Sequence, residues 1–264
     1  MSKVAKITFS NYEQSIFKAL NVIGAHKRLP DDGLIIIKPN LTNANKPPVT
    51  TPVGAVEAVY KYCRNHSKAT IAIGEGCGSG ETIESYSANG YVRLAQQYGL
   101  LLIDFNREKA SLLVRRDTFQ LKELYLPEIV LNAFIISLPV LKDHSFTHTT
   151  IAMKNMFGLA PAPFYADTWN KSKLHFPSID KSIVDICLYK KPDLCVVDAS
   201  VALTGMHLSG IPKNLNVILA SFDPVAIDAV GSTLLGHNPK NIDYLLYAHG
   251  TLGDMEKIHI VTDH

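Results

Sequence analysis

Between Leu138 and Gly158 the chain reads LPVLKDHSFTHTTIAMKNMFG. An apolar run, Phe134 to Val140, gives way to Lys142, Asp143, His144, Thr147 and His148, and Lys154 and Asn155 follow inside an otherwise apolar frame. An unpaired buried charge is costly, so lysines in such a frame must meet an opposite charge, give up a proton or reach back to water. Lysine and histidine together suit the holding of an anion and the movement of a proton. His144 and His148 are four residues apart and would share a helix face, where two imidazoles can take a metal. His144, beside Lys142 and Asp143, reads more simply as an acid/base or hydrogen-bonding group. Lys154 must be paired by a carboxylate or a bound anion, or else be neutral and nucleophilic, unless its stem carries it to the surface.

Other apolar runs end in the same way. Ile35–Ile37 leads into Lys38-Pro39-Asn40, Ile71–Ile73 into Gly74-Glu75-Gly76, Val196-Val197 into Asp198, and Leu219-Ala220 into Ser221 and Asp223. In a parallel sheet all C-terminal strand ends share one edge, where open α/β sheets place their ligands. Lys38, Asn40, Glu75, Lys142, His144, Lys154, Asn155 and Asp198 are therefore expected in one cleft, although strands also meet polar residues simply where they surface. Glycines at 74, 76, 78 and 80 would let the backbone approach a ligand, with Gly76 and Gly78 as contacts, and a following helix would offer free N–H groups. No Lys follows as in a nucleotide-binding loop, and Glu75 and Glu81 would repel phosphate, so a polar or cationic ligand fits as well as an anion, and so does a plain flexible turn. Asp198, Asp223 and Asp228 are candidates to orient cations or hold a divalent metal. Asp223 before Pro224 also has the form of a helix N-cap.

These groups need a frame. Strand-like runs alternate with helical patterns, so the expected fold is α/β, a mainly parallel sheet with helices on both faces, formed by one domain over residues 1–264. A short irregular or antiparallel insert is expected near 107–130. Thr51-Pro52 has the form of a helix start, Thr as N-cap and Pro at the first position. Residues 160–177, with three prolines and the only Trp, Trp169, lack periodicity and read as a lid that turns His175 inward.

Composition narrows the function. In 264 residues, 47% are hydrophobic and the net charge is 26 − 24 = +2. Lysines and arginines are scattered, which argues against nucleic acid. With neither a signal-peptide pattern nor an apolar run of membrane length, the expectation is a cytoplasmic protein with no membrane partner. The four cysteines form no C-x-x-C pair, so no disulfide, zinc or iron–sulfur site is legible. Cys187 and Cys195 read as core residues. Cys77, in the glycine-rich loop, reads as exposable.

The chain resembles the uncharacterised family DUF362 over nearly its whole length. Lys38-Pro39-Asn40 and Thr51-Pro52 resemble its "KPN…TxP" block. Leu141-Lys142, His144, Thr147, Thr150 and Lys154-Asn155-Met156-Phe157-Gly158 resemble "lKtH…T..T…KNlfG". His175 falls where the family often carries a histidine. Val197-Asp198 resembles "vvD", and Asp223 to Ala229 resembles "DPVAvDa"; Gly236 and Gly250-Thr251-Leu252-Gly253 also fit. Many relatives carry a ferredoxin-like pair of four-iron clusters, but this chain lacks the cysteine runs for them, so no cluster is carried over. Asp143 replaces a usual Thr, implying an extra negative charge in the site, and Ile151 replaces a usual Gly.

The expected function is a small-molecule enzyme using acid/base or metal-assisted chemistry on an anionic substrate. Lys38, Lys142 and Lys154 would hold the anion, and His144 or His175 would move a proton. The alternative is a non-catalytic metal- or cofactor-handling accessory protein for a redox partner, which would need ligands and an exit path but no proton-transfer group.

Overall fold

A computed structural model describes residues 1–263 of the chain. The strands are β1 (Ser2–Thr8), β2 (Leu34–Pro39), β3 (Thr70–Glu75), β4 (Leu101–Asp104), β5 (Ala110–Val114), β6 (Glu123–Pro127), β7 (Phe134–Leu138), β8 (Val140–His144), β9 (His148–Thr150), β10 (Leu194–Thr204), β11 (Ile211–Ser221) and β12 (Ile258–Thr262). The large sheet runs β12-β1-β11-β10-β7-β2-β3-β4, with β8 paired to β10 and β9 to β8. Its centre, β10-β7-β2-β3-β4, is parallel, whereas β11 is antiparallel to both β10 and β1. The expected insert is present as the small antiparallel pair β5-β6.

The central strands are apolar on both sides because both faces are covered. Ile35 and Ile37 of β2 join a core with helices 12–22 and 53–66, while Ile36 turns to the opposite core with helices 179–189 and 243–248. A third cluster packs helix 224–235 against Val197 and Leu219.

Three local readings change. The helix that follows Thr51 starts at Val53, and the Thr51 hydroxyl does not cap it: it donates to the Leu138 carbonyl at 2.8 Å and accepts from the Asn40 amide at 2.9 Å, clamping the end of β2 to β7. The Thr-rich stretch 140–150 is a hairpin of β8 and β9, because β-branched residues favour strand over helix. β10 and β11 are long partners in a hairpin, so β11 descends toward the N-terminal edge of the parallel strands. Ser221 and Asp223 therefore lie at the edge opposite Lys38, Glu75 and Lys142, not beside them. Residue alternation shows that a strand exists but carries no sign for its direction.

Candidate functional site

The ends of β2, β3 and β8 meet the short helix Ala152–Asn155 around a cavity of about 100 Å³. Asn40, Glu75, Gly76, Gly78, Lys142, His144, Lys154 and Asn155, all expected in the site, line it. Lys171 and His207 line it too, and the sequence reading missed both. Lys171 lay unremarked in the lid segment. His207 sits in the β10–β11 turn, with no signal to mark it.

Lys38 stands behind this wall. It is fully buried, 2.8 Å from Glu75 Oε1 and 2.9 Å from Oε2, and it also donates to Asn155 Oδ1 and the Pro39 carbonyl at 3.1 Å. Burial pushes its pKa down and Glu75 opposes that shift. Glu75 is filled further by the amides of Leu41 and Gly76. This pair requires Gly158, where any Cβ would collide with Glu75 Oε1 and Lys38 Nζ. Asn155 completes the frame, its amide donating to the Lys38 carbonyl and to Ser137 Oγ. Lys38, Asn155 and Gly158 thus build the wall, and Lys38 has no spare proton for a ligand.

The other three lysines face the cavity. Lys142 Nζ donates to the Val49 carbonyl at 2.8 Å. Burial first, then repulsion from Lys154, lowers its pKa to about 7. Lys171, in a left-handed backbone turn at φ 61, sends its ammonium to the carbonyls of Gly76, Phe157 and Gly158. Three acceptors match the three protons of an ammonium; burial lowers its pKa to about 8. Lys154, half-buried, lies 4.8 Å over the Phe157 ring and has no hydrogen bond or ion pair among the described residues. Burial lowers its pKa to about 8 against the pull of Asp180. Among the residues lining the cavity Glu75 is the only acid, and Lys38 already holds it.

His144 is two residues from Lys142 on β8, so both side chains face the cavity and Asp143 faces away. This corrects the expectation of an added negative charge there. Asp143 accepts from His237 Nε2 at 2.8 Å and from the Gly205 amide at 2.6 Å, bracing the turn that carries His207. His144 Nδ1 accepts from the amides of Phe146 and Thr147 at 3.2 and 3.4 Å. That places the ring proton on Nε2. Burial and the neighbouring lysines hold His144 neutral, and its ring stacks on His207 at 4.2 Å. His148 is exposed across the hairpin, near His237 rather than in the cavity.

Of the segment expected to form a lid, residues 160–177, Lys171 lines the cavity. The segment contains helical turns at 162–165 and 172–175, Leu174 anchors it in the core, and Asn106 ties it to the glycine loop by accepting from the Ala162 amide and donating to the Cys77 carbonyl. It therefore has more regular structure than its prolines suggested. His175, expected to face inward, is not among the cavity's lining residues; its ring meets that of Phe157 edge-on at 5.8 Å, and its Nδ1 is 3.1 Å from the Lys171 carbonyl. Burial and Lys154 lower its pKa.

Four amides of the glycine loop are spent inside the protein. Those of Gly78 and Ser79 donate to the Thr42 carbonyl, that of Gly76 to Glu75 and that of Cys77 to Thr82. Gly76 is needed because a Cβ would meet the Gly158 carbonyl and Asn106. Cys77, expected to be exposable, is buried with its thiol on the Gly80 carbonyl.

The three aspartates read as metal candidates take separate structural places. Asp198 lies at the cavity's edge of the sheet but outside its lining, accepting from Tyr12 and from the amide and hydroxyl of Ser200. Asp228 is fully buried and accepts from the amides of Ala152 and Met153 and from Tyr244, so it seats the helix that carries Lys154. Asp223 caps helix 224–235 at the opposite edge. No group of three or more His, Cys, Asp or Glu side chains placed for a metal occurs among the described residues.

Fold and site together define a mainly parallel α/β protein with a lysine-rich cavity at the C-terminal strand edge. The chain belongs to the family described as Domain of unknown function (DUF362), whose model matches residues 35–233 and so spans every cavity residue. It is 26% identical over 215 residues to the thylakoid-associated protein sll1697 of Synechocystis sp., a match covering 79% of this chain and 64% of that protein. The chain thus spans less than two thirds of that relative's length. No helix among the described residues is long and apolar enough to cross a membrane.

Proposed function

We propose that the cavity binds a small anionic ligand and that the protein is an enzyme performing proton-transfer chemistry on it. One observation carries this reading: Lys142, Lys154 and Lys171 face a single small cavity whose one carboxylate is already bound by Lys38. Positive charges gathered with no carboxylate of their own in contact are unfavourable in the free protein, and an anion entering among them relieves both the desolvation and the repulsion.

The roles follow from what each group has left to give. Lys154, with no hydrogen-bond acceptor of its own, supplies the main charge. Neutral His144 donates from Nε2, and Asn40 lends a polar side chain to the wall. Lys171 contributes its field while joining the lid to the loop. Lys142, at about 7, is populated in both protonation states near neutrality and is the group to take and return a proton. A resident cofactor is not required by this scheme.

The test is calorimetric titration with sulfate, whose charge is constant across the working pH range, and with inorganic phosphate. Saturable binding at one site that is lost in Lys154→Met, with thermal stability retained, is the expected result. Unchanged affinity in that variant, or no binding of either anion by the wild type, sinks the reading.

A further inference from the structure

The cavity, at about 100 Å³, is smaller than the roughly 150 Å³ engineered cavity that accepts benzene. It admits one compact charged group, so the remainder of any larger ligand must lie at the mouth. What stands at the mouth therefore reports the rest of the ligand.

Two groups of aromatic rings lead outward from residues that line the cavity, His144 and Phe157. In the first, Phe146, 72% exposed at the tip of the β8–β9 hairpin, lies 6.1 Å from the ring of His144. His207, stacked on the same ring, is followed outward by Met206, 52% exposed. A second series of rings starts at the lining residue Phe157 and ends at the surface. Phe157 meets His175 at 5.8 Å, His175 meets Trp169 at 5.7 Å, and Trp169 meets Phe176 at 6.5 Å. Trp169 is 49% and Phe176 65% exposed.

Single exposed apolar side chains are ordinary, but a set grouped around one charged cavity is not. The polar atoms of these rings are partly spent, since His144 Nδ1 receives two backbone amides and His175 Nδ1 faces the Lys171 carbonyl. The rim segments 144–150, 160–177 and 204–213 contain one acid, Asp167, against Lys171, Lys173 and Lys213. The mouth attracts a negative charge and offers little to a polyol.

Resting on the anion reading above, we propose that the ligand is an organic anion with an apolar substituent: its phosphate- or carboxylate-like head enters the lysine cavity and its apolar part lies between Phe146 and Trp169. The occupant is a soluble molecule whose two halves match the two halves of the site.

Calorimetry with inorganic phosphate, glycerol phosphate and phenyl phosphate tests this. The wild type is expected to bind phenyl phosphate about tenfold more tightly than glycerol phosphate, from burial of one ring. The ratio should fall toward one in Phe146→Ser and in Trp169→Ser, with inorganic phosphate affinity unchanged; both side chains are exposed, and unaltered melting temperatures confirm the fold. Trp169, the single tryptophan, should change its fluorescence with phenyl phosphate and not with inorganic phosphate. Equal affinity for the two esters, with inorganic phosphate still bound, overturns this inference and leaves the anion reading standing. No binding of any of the three overturns both. Co-sedimentation with phosphatidic acid vesicles but no preference for the soluble phenyl ester assigns the rings to a bilayer and overturns the soluble ligand.

Discussion

The two edges of the sheet carry similar residues and put them to different use. The N-terminal edge of the parallel strands has an open cleft of about 650 Å³ that includes Lys3, Arg28, Lys191 and Asp223. It is far larger than the lysine cavity, yet its cations are exposed to water and its two carboxylates, Asp223 and Asp254, are spent, the latter on the amides of Glu256 and Lys257. Asp223 accepts from Ser2 Oγ at 2.5 Å and from the amides of Val225, Ala226 and Asp254 at 2.9 Å. At the C-terminal edge Glu75 is equally spent, but the lysines without an anionic partner are withdrawn from water, Lys142 and Lys171 fully and Lys154 in part. Volume alone does not mark a site. Charge brought out of water and not compensated does, because a folded chain can keep it only at a cost that a ligand removes.

Substitutions at the two edges test that contrast, and the largest effect belongs to the wall pair. Glu75→Gln leaves Lys38 buried without its counter-ion and is expected to cost about 3–5 kcal/mol in denaturant unfolding. The double substitution Lys38→Met with Glu75→Leu should recover most of that loss. If Glu75→Gln alone is neutral, the pair does not hold the wall.

Asp228→Ala strips the acceptor from two buried amides and the Tyr244 hydroxyl, a loss of about 2–3 kcal/mol. Because those amides start the helix bearing Lys154, sulfate affinity should fall as well. At the opposite edge Asp223→Ala removes an N-cap and should cost about 1–2 kcal/mol. Sulfate binding should not change, and a change would mean that the two edges are not independent.

Lys154→Met should leave stability level or slightly higher, since it removes a desolvated charge that repels Lys142. Anion affinity should be lost. The same lysines set a pH dependence. Lys142 near 7 and Lys154 near 8 lie below the ordinary lysine value of 10.5, so between those limits the folded chain binds fewer protons than the unfolded one. Ligand-free stability should therefore rise with pH across that window. Sulfate affinity should fall as pH passes through about 7 to 8, as the cations that hold it discharge. A flat sulfate profile from pH 6 to 9 would show that these lysines do not hold it.

Much of the frame was legible because its signals are local. The alternation of apolar runs with helical periodicity marked the parallel centre, Asp223-Pro224 marked a helix start, and the breakdown of pattern near 107–130 marked the β5-β6 insert. Eight of the cavity residues could be named, most of them because a parallel strand delivers its C-terminal polar group to a known edge, and Lys154 and Asn155 because they interrupt an apolar frame. That the residues around Lys154 are apolar was likewise written in Met153, Met156 and Phe157.

Partnership and direction were decided only in three dimensions. Lys38 meets Glu75 across 37 positions and Asn155 across 117, and no local pattern says that it will be neutralised while Lys154 is not. Asp143 leaves the cavity because the stretch is a strand, whose successive side chains take opposite faces. Asp223 leaves it because β11 runs backward. Lys171 and His207 enter it on a loop and a hairpin turn whose paths follow from packing rather than from periodicity. Sequence spacing sets which face of an element is apolar, but which charges find counter-charges depends on how distant elements are juxtaposed. That juxtaposition separates the lysines of the wall from the lysines of the cavity.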